Sequence, residues 1–458
     1  MKQGETNMAT KVNKVSKYVV PALIAGIMLT ASGCSGGGGE QGKSGGGATA
    51  EGGSQPVKRS EPVELVIHTN NGGTPESFDA NYGNRIRQKF PDYKITYIQS
   101  KAGSTLQDLL ATGQRVDILF QTDSYYFELA QGSKLEFDMT DLAKKHGVDL
   151  NAFEPRIIEG LKASGGGKLY ALPVSNMIQV MYYNKSIFDK FGVPYPKDGM
   201  NWDEVQELGK KLDREDGGVS YIGFTASPAH ILGNNQYSIP YVDAKTDKPT
   251  FLDSTWNKLF ETYLLTPGKT EGYQKFVTGK KKLPYRLEFT DTPMLGMFVF
   301  NSSFPFSIPN INDINWDLVA LPTFKEKPKV GSQSMPVVFG MTSMAKDKDE
   351  AMEVIKYLGS EEFQMPEAKK GNMPVLTSAA VRKAFAQDTP FKDKNWGALY
   401  YNEIAPSVPK NPYLLSVEKV LTPYVQQVIE GKKDVNTALR EAQEQAEKTI
   451  ADAKLKNK

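Results

Sequence analysis

The sequence predicts an α/β fold arranged as two bodies joined by extended crossings, on three observations. Apolar strand-length runs alternate with helix-length segments between residues 62 and 131. A short strand over 168–172 stops at Pro173, and the apolar run 180–183 follows it without a tight turn. Beyond that point strands and helices alternate again, with a larger helical share. The first alternation implies a parallel sheet with right-handed crossovers. Pro173 fixes its own φ and biases Leu172 to extended geometry, so 173–179 reads as chain passing from one body to the other.

Residues 1–33 stand apart from the fold. Lys2, Lys11, Lys14 and Lys17 form a basic region, followed by the apolar stretch Tyr18–Ala31, which Pro21 interrupts. That stretch is too short to span a bilayer comfortably and reads as a signal peptide. Thr30-Ala31-Ser32-Gly33-Cys34 resembles a bacterial lipobox, with Ala31 where Leu is usual. The expectation is that Cys34, the one cysteine, is diacylated and becomes the mature N-terminus, tied to a membrane surface by acyl burial. The Gly/Ser-rich segment 34–60 then serves as a flexible tether.

The leader carries +3 of a whole-chain charge of +2, so the remainder is at −1 and offers no basic patch for nucleic acid. With Cys34 lipidated, no thiol is left for a disulfide or a Cys-based metal site. The tether matches the P-loop pattern at Gly37–Ser44, GxGxxG at Gly37–Gly42 and the nucleophile elbow at Gly33–Gly37. None is preceded by a buried strand or followed by a helix, so none is read as functional. The 458 residues allow two domains or more, and 39% hydrophobic with 24% charged residues is a soluble globular composition.

The elements follow in order. Pro62–Thr69 alternates and reads as the first strand. Asn70-Asn71-Gly72-Gly73 turns the chain, Thr74 suits an N-cap and Pro75 the first helical position, and the helix runs to about Phe90, before Pro91. Lys94–Ile98 is the second strand, Ser104–Thr112 a helix, Val116–Phe120 the third strand and Ser124–Gln131 a helix. After the crossing, Asn184–Phe191 is helical and ends at Gly192. Asn201 and Glu204 form a reciprocal capping pair, which makes Trp202 a packing residue. Tyr221–Thr225, Pro293–Phe300 and Val337–Ser343 read as strands. Trp256–Leu265, Tyr273–Lys282, Asp349–Leu358, Tyr413–Glu430 and Asp434–Lys454 read as helices, the last with an apolar stripe through Ala438, Leu439, Ala442, Ala446 and Ile450.

Ligands of parallel sheets bind beyond the carboxyl ends of the strands. The residues there are Asn70, Asn71, Gln121, Thr122, Asp123 and Ser124, all able to hydrogen-bond a polar solute. The same residue types also serve as turn formers and helix caps. Asn301-Ser302-Ser303-Phe304 repeats the arrangement after the strand Pro293–Phe300. The three histidines, His68, His146 and His230, form no zinc-ligand spacing. A glycoside hydrolase needs two carboxylates flanking one bond. With 53 acidic residues no pair is singled out, so a cell-surface glycoside hydrolase or lyase stays open, as does an adhesive lipoprotein.

The stretch GGKLYALPVSNMIQVMYYNKSIFDKFGVPYP…NWDEV resembles the signature of the family 1 extracellular solute-binding proteins, the lipoprotein subunits of bacterial carbohydrate ABC importers. VDILF, LVALPTFK, GMTSMAKDKDEAMEVIKYLGSEEFQ and GKKDVNTALREAQEQ support it in collinear order from Glu61 to Lys454. The resemblance implies a two-lobed, type II periplasmic-binding-protein-like fold with three interlobe crossings, at Pro173–Gln179, near Val337–Met341 and near Thr377–Thr389. The N-terminal lobe would comprise 61–175 and 338–385, and the C-terminal lobe 176–337 and 386–458. The implied ligand contacts are Asn70, Asn71, Gln121, Asp123, Ser124, Ser175, Asn176, Met177, Asn301, Ser303, Phe304 and Tyr413.

The implied role is capture of a sugar or oligosaccharide in the interlobe cleft and delivery to a membrane permease. It requires no catalysis, cofactor, metal or nucleic acid, and it is carried out by a monomer anchored at the extracellular face of the cytoplasmic membrane. The chain departs from many relatives in having NSSFPF and SQSMPVV where they carry tryptophan. Phe304, Phe306, Tyr125 or Tyr237 would then supply the ring that stacks on the sugar.

Overall fold

The structure, a computed structural model, describes residues 62–456. The expected signal peptide, Cys34 and the tether to residue 60 lie outside the described residues. The strands are β1 (Val63–Thr69), β2 (Tyr93–Gln99), β3 (Ile118–Thr122), β4 (Leu172–Ser175), β5 (Gln179–Asn184), β6 (Arg214–Asp216), β7 (Val219–Ala226), β8 (Val242–Asp243), β9 (Lys248–Pro249), β10 (Leu295–Asn301), β11 (Trp316–Ala320) and β12 (Val337–Met341). They form a five-stranded sheet of order β2-β1-β3-β12-β4, a second of order β11-β5-β10-β7-β6, and the hairpin β8-β9.

In the first sheet β1 runs parallel to both β2 and β3, as the alternation of apolar runs and helices predicts. β12 is antiparallel to β3 and β4 and closes the sheet. The third strand starts at Ile118, two residues later than the apolar run. Asp117 stands ahead of it, fully buried, with its carboxylate accepting from Val66 N at 2.8 Å and pairing with Arg115 at 2.9 Å. The helix after β1 opens with Thr74 accepting from Ser77 N at 3.3 Å and Pro75 in its first turn. It is broken midway by the π turn Asp79–Gly83, which periodicity did not foretell.

The short strand expected over 168–172 lies instead at Leu172–Ser175 and contains Pro173. β4 is the outermost strand of its sheet, where a residue without an N–H is tolerated. A register shift between Val337 and Val338 accommodates it.

The second sheet mixes directions: β5 is antiparallel to β10 and β11, whereas β10 and β7 are parallel. The chain leaves the first sheet after Ser175 and enters the second at Gln179. It returns between Ala320 and Val337. The second crossing therefore precedes β12, through the extended segment 331–336, and Val337–Met341 belongs wholly to the first sheet. A third passage lies where expected, since Leu376 packs in the core of the first sheet and Phe385 in that of the second.

Burial explains the two bodies. The first sheet is covered on one face by Phe78, Ile86, Val354 and Phe363 and on the other by Leu106, Tyr126 and Ile157. The second packs against Trp202, Trp256, Phe260 and the C-terminal helices Leu414–Ile429 and Val435–Lys456. Ala438, Leu439, Ala442, Ala446 and Ile450 are all buried, as the stripe predicts. Each large side chain removed from water stabilises the fold by about 1.5–3 kcal/mol.

The helix Trp202–Leu212 begins with the expected capping box. Asn201 Oδ1 accepts from Glu204 N at 3.1 Å and Glu204 Oε2 from Asn201 N at 2.8 Å. Trp202 is a packing residue, 2% exposed, whose Nε1 donates to Gln236 Oε1 at 2.9 Å. The helix lies against β7 at a glycine-to-glycine contact, where a Cβ on Gly223 would overlap the carbonyl of Gly209. Gly223→Ala is expected to lower stability by about 1–3 kcal/mol through this overpacking. Gly209→Ala, whose Cβ would sit 3.4 Å from Phe224, should cost less. Denaturant midpoints of the two variants check the order, and equal midpoints contradict the contact.

Candidate functional site

The crossings are laced together where the two sheets meet. Met335 N donates to Met177 O at 2.9 Å, Asn176 N to Met373 O at 2.9 Å, and Gln179 N to Ser332 Oγ at 3.0 Å. Ser334 Oγ donates to Asn176 Oδ1 at 2.5 Å, and Asp123 N to Pro336 O at 2.9 Å. Most of these bonds satisfy backbone groups at or beyond the ends of the strands. They also fix which side chains point into the space between the strand ends.

That space is a cleft of two chambers sharing Asn71, Thr122 and Met177. The first, about 180 Å³, is walled by Tyr82, Phe120, Ser175, Asn176, Ser302 and Ser303. The second, about 340 Å³, is walled by Ser124, Tyr125, His230, Asn301, Lys410 and Glu418. Together they lie at the carboxyl ends of β1, β3, β4 and β10, where a parallel-type sheet exposes unspent polar groups. A larger cavity of about 480 Å³ adjoins the first chamber through Asn176 and Met373. Four of its five charged groups are already paired, Arg382–Glu154 at 2.7 Å and Arg156–Glu159 at 3.0 Å, with Glu403 the fifth, and none of these strand ends except that of β4 borders it. The two-chamber cleft is therefore the candidate site.

The twelve residues expected at the site divide. Asn71, Ser124, Ser175, Asn176, Met177, Asn301 and Ser303 line the cleft. Asn71 is pinned by Nδ2 to Thr122 Oγ1 at 3.0 Å, and Ser303 Oγ donates to Met177 Sδ at 3.3 Å. Asn301 Oδ1 is buried with no hydrogen-bond partner. Gln121 stands behind the cleft: Oε1 accepts from Asn70 N at 3.0 Å and Asn71 N at 3.3 Å, so it shapes the loop after β1. The Asn70 side chain is exposed and lines neither chamber. Asp123 is buried beneath the second chamber.

Two aromatic expectations fail on geometry. Phe304 is fully buried, its ring against Phe298, Phe300 and Tyr182, because it begins the turn that packs back onto β10. Tyr413 caps the helix Leu414–Ile429 outside the cleft, beneath Lys454. The residues that do enter are Leu414, Leu415 and Glu418 of the next turns. Phe306 stacks on Trp396, and Tyr237 lies edge-on to Phe324. All four tryptophans are core residues at 7% exposure or less.

Tyr82, Lys410 and Glu418 were missed. Tyr82 is carried by the π turn, which no periodicity announces. Lys410 lies in a proline-flanked loop without pattern, and Glu418 reads as the polar face of a helix. His230 was within reach, because it follows the end of β7 at Ser227-Pro228.

The second chamber holds the site's charges. Lys410 and Asp123 are each 4% exposed, with Nζ and Oδ2 3.8 Å apart, an ion pair too long for a direct hydrogen bond. Burial raises the Asp123 pKa, and Lys410 opposes that shift. Burial also pushes Glu418 up to about 7, against the pull of Lys419 and Lys410. It holds His230 down at about 4, so that the ring, bonded through Nδ1 to Ser227 Oγ at 2.7 Å, is neutral near pH 7. In the first chamber burial pushes Tyr82 up to about 12, so its hydroxyl stays a neutral donor. Among the described residues no cluster of three or more His, Cys, Asp or Glu could hold a metal ion, and no helix is long and apolar enough to cross a membrane.

Two α/β bodies, laced by extended crossings and opening a polar cleft at the strand ends of both, define a solute-binding architecture. The family profile for bacterial extracellular solute-binding proteins matches residues 71–365, and the chain belongs to that family. Among solved structures, a sugar transporter of Rhizobium etli in an open conformation aligns with a TM-score of 0.68 at 20% identity, covering 84% of this chain and 99% of that one. An ABC substrate-binding protein of Listeria monocytogenes in complex with cycloalternan aligns with a TM-score of 0.65 at 17% identity, covering 85% of this chain and 100% of that one. At these identities the likeness is one of fold. A protein of Brucella abortus (strain 2308) named as a binding protein is 27% identical over 151 residues, 31% of this chain. The match thus spans about a third, 36%, of the length of that curated relative.

Removing Lys410 strands a buried carboxylate. Lys410→Met is expected to destabilise the fold by about 3–5 kcal/mol. The Asp123→Asn/Lys410→Met pair should lose less. Asp123 has a folded pKa above its unfolded value, so the stability it contributes falls as pH rises. The Lys410→Met deficit should therefore grow from pH 5 to pH 8. Urea denaturation across that range measures it, and a pH-independent deficit contradicts the pairing.

Proposed function

We propose that this chain is the solute-capturing subunit of a carbohydrate ABC importer. It takes a sugar or oligosaccharide into the two-chamber cleft and passes it to a membrane permease. It acts as a monomer, without cofactor or catalysis, held by acyl chains on Cys34 at the extracellular face of the cytoplasmic membrane. The observation that carries the reading is the convergence of polar loops from both sheets, Asn71 and Ser175 from the first and Asn301 and Ser303 from the second, on one cleft crossed by Met177. The family is one of extracellular binding proteins, and the structures sharing the fold include proteins with mannotriose, maltose, D-mannitol and α-D-tagatose bound.

The chemistry suits a polyol. Hydroxyls pair with Asn71, Ser124, Asn301 and Ser303, and an unmatched buried polar group costs about 1–3 kcal/mol, so isomers that misplace a hydroxyl are rejected. With the tryptophans in the core, Tyr82 and Phe120 in the first chamber and Tyr125 in the second offer the apolar faces for sugar C–H groups. The two bodies swing about the crossings. A solute touching both shifts the population toward the closed state by its differential affinity.

A thermal-shift panel of mannobiose, mannotriose, maltose, cycloalternan, D-mannitol and D-tagatose tests the reading. A true ligand at 100 times Kd adds about 2.7 kcal/mol. Asn301→Ala removes an acceptor with no partner in the fold. It should weaken that ligand by roughly 5- to 150-fold, from 1–3 kcal/mol, while leaving the unliganded midpoint within about 1 kcal/mol. Silence across the panel overturns sugar capture, and cleavage products would replace it with hydrolysis. Cys34→Ala should move the protein from membrane to soluble fraction, and unchanged membrane association removes the acyl anchor.

A further inference from the structure

We propose that sugar capture in the second chamber is coupled to uptake of one proton by Glu418. This rests on the capture reading above. The helix Leu414–Ile429 packs on Asp123–Gly132 and on Pro228–Gly233, and it brings Glu418 into the chamber beside Lys410. Three carboxylates gather there: Asp123 and Glu128 from the first helix, and Glu418. One buried ammonium, Lys410, and one exposed ammonium, Lys419, face them. Lys410 is committed to Asp123, and Glu128 Oε2 is buried without a hydrogen-bond partner. Tyr125, Tyr241 and His230 complete the surroundings of Glu418, and all three are uncharged near neutral pH.

With every carboxylate ionised the cluster carries one negative charge more than its lysines balance. In the unliganded cleft, water solvates that excess. A neutral polyol expels the water and brings no charge of its own, so the excess must be discharged. Glu418 is the group placed to do it, because it lines the chamber while Asp123 already has its cation. Burial and the neighbouring Glu128 already hold its pKa near 7. The proton comes from solvent and goes onto the carboxylate, which changes from acceptor to donor toward a ligand hydroxyl. The device also selects against acidic sugars, whose carboxylate would add to the excess.

The test uses whichever sugar of the panel stabilises the protein most, titrated calorimetrically between pH 5.5 and 8.5. Affinity should be flat below pH 6.5 and fall by about tenfold or more from pH 7 to 8.5, with a limit of tenfold per unit for one coupled proton. Titrations in buffers of different ionisation enthalpy should count up to one proton taken up per sugar above pH 7.5. Glu418→Gln should flatten the profile to within about twofold. Glu128→Gln removes the excess charge as well, so it should reduce the slope and move what remains to lower pH, because a neighbouring negative charge is gone. In the unliganded protein, wild-type Tm should fall relative to Glu418→Gln as pH rises from 5 to 7.5, since a carboxylate with a raised folded pKa loses its stabilising contribution over that window. Binding with a flat wild-type profile, or a slope retained in Glu418→Gln, overturns this inference while leaving capture intact. Absence of binding by every panel sugar at every pH overturns both.

Discussion

The structure depends on a constraint at the junction of its two sheets: backbone that leaves a sheet must find hydrogen bonds elsewhere. The outward crossing, through Asn176 and Met177, and the return crossing, through Ser334 and Met335, solve this by bonding to each other. Met373 of the loop after the helix Glu361–Lys369 adds a third strand of support at Asn176. The polar loops at the strand ends are braced against each other, Asn71 to Thr122 and Ser303 to Met177, and still present polar groups such as Asn301 Oδ1 to a solute.

The site inherits its character from that arrangement. The groups that hold the loops in place, Gln121 beneath Asn70 and Asn71 and Lys410 against Asp123, stand one layer behind the surface. Gln121 spends its carbonyl on backbone, and Lys410 and Asp123 oppose each other's charge. The residues in front, Asn71, Ser124 and Asn301, keep capacity to spare. Charge is confined to the second chamber, where low polarity raises the pKa of Asp123 and Glu418 and depresses that of His230. The first chamber has no charged wall and is bordered by Tyr82 and Phe120. One end of a ligand therefore meets rings and hydroxyls, and the other a buried electrostatic cluster.

Much of the fold was legible because it rests on local rules. Strand runs, the Thr74-Pro75 start, the Asn201–Glu204 capping box and the last helix's stripe each state their structure within a few residues. The crossings were legible from Pro173, although the strand itself runs through that residue, as edge strands tolerate proline. Strand-end reasoning found the cleft walls Asn71, Ser124, Asn301 and Ser303. It failed where tertiary packing decides between facing in and facing out. Phe304 sits one residue past a lining serine and turns wholly into the core. Tyr82 reaches the cleft only because a π turn advances it. Lys410 and Glu418 come from a loop and a helix more than 280 residues distant from Asp123 in sequence, and no spacing rule links them.

The central claim, that one solute is held at once by loops of both sheets at the crossings, is tested most directly by hydrogen–deuterium exchange with and without a stabilising sugar. The account predicts slowed exchange together in 70–73 and 122–125 of the first sheet's loops and in 301–303 of the second, with the adjoining crossing 176–178. Exchange around Arg156 and Glu159, beside the larger cavity, should be unchanged. Protection confined to the loops of one sheet, or centred on that larger cavity, would contradict it.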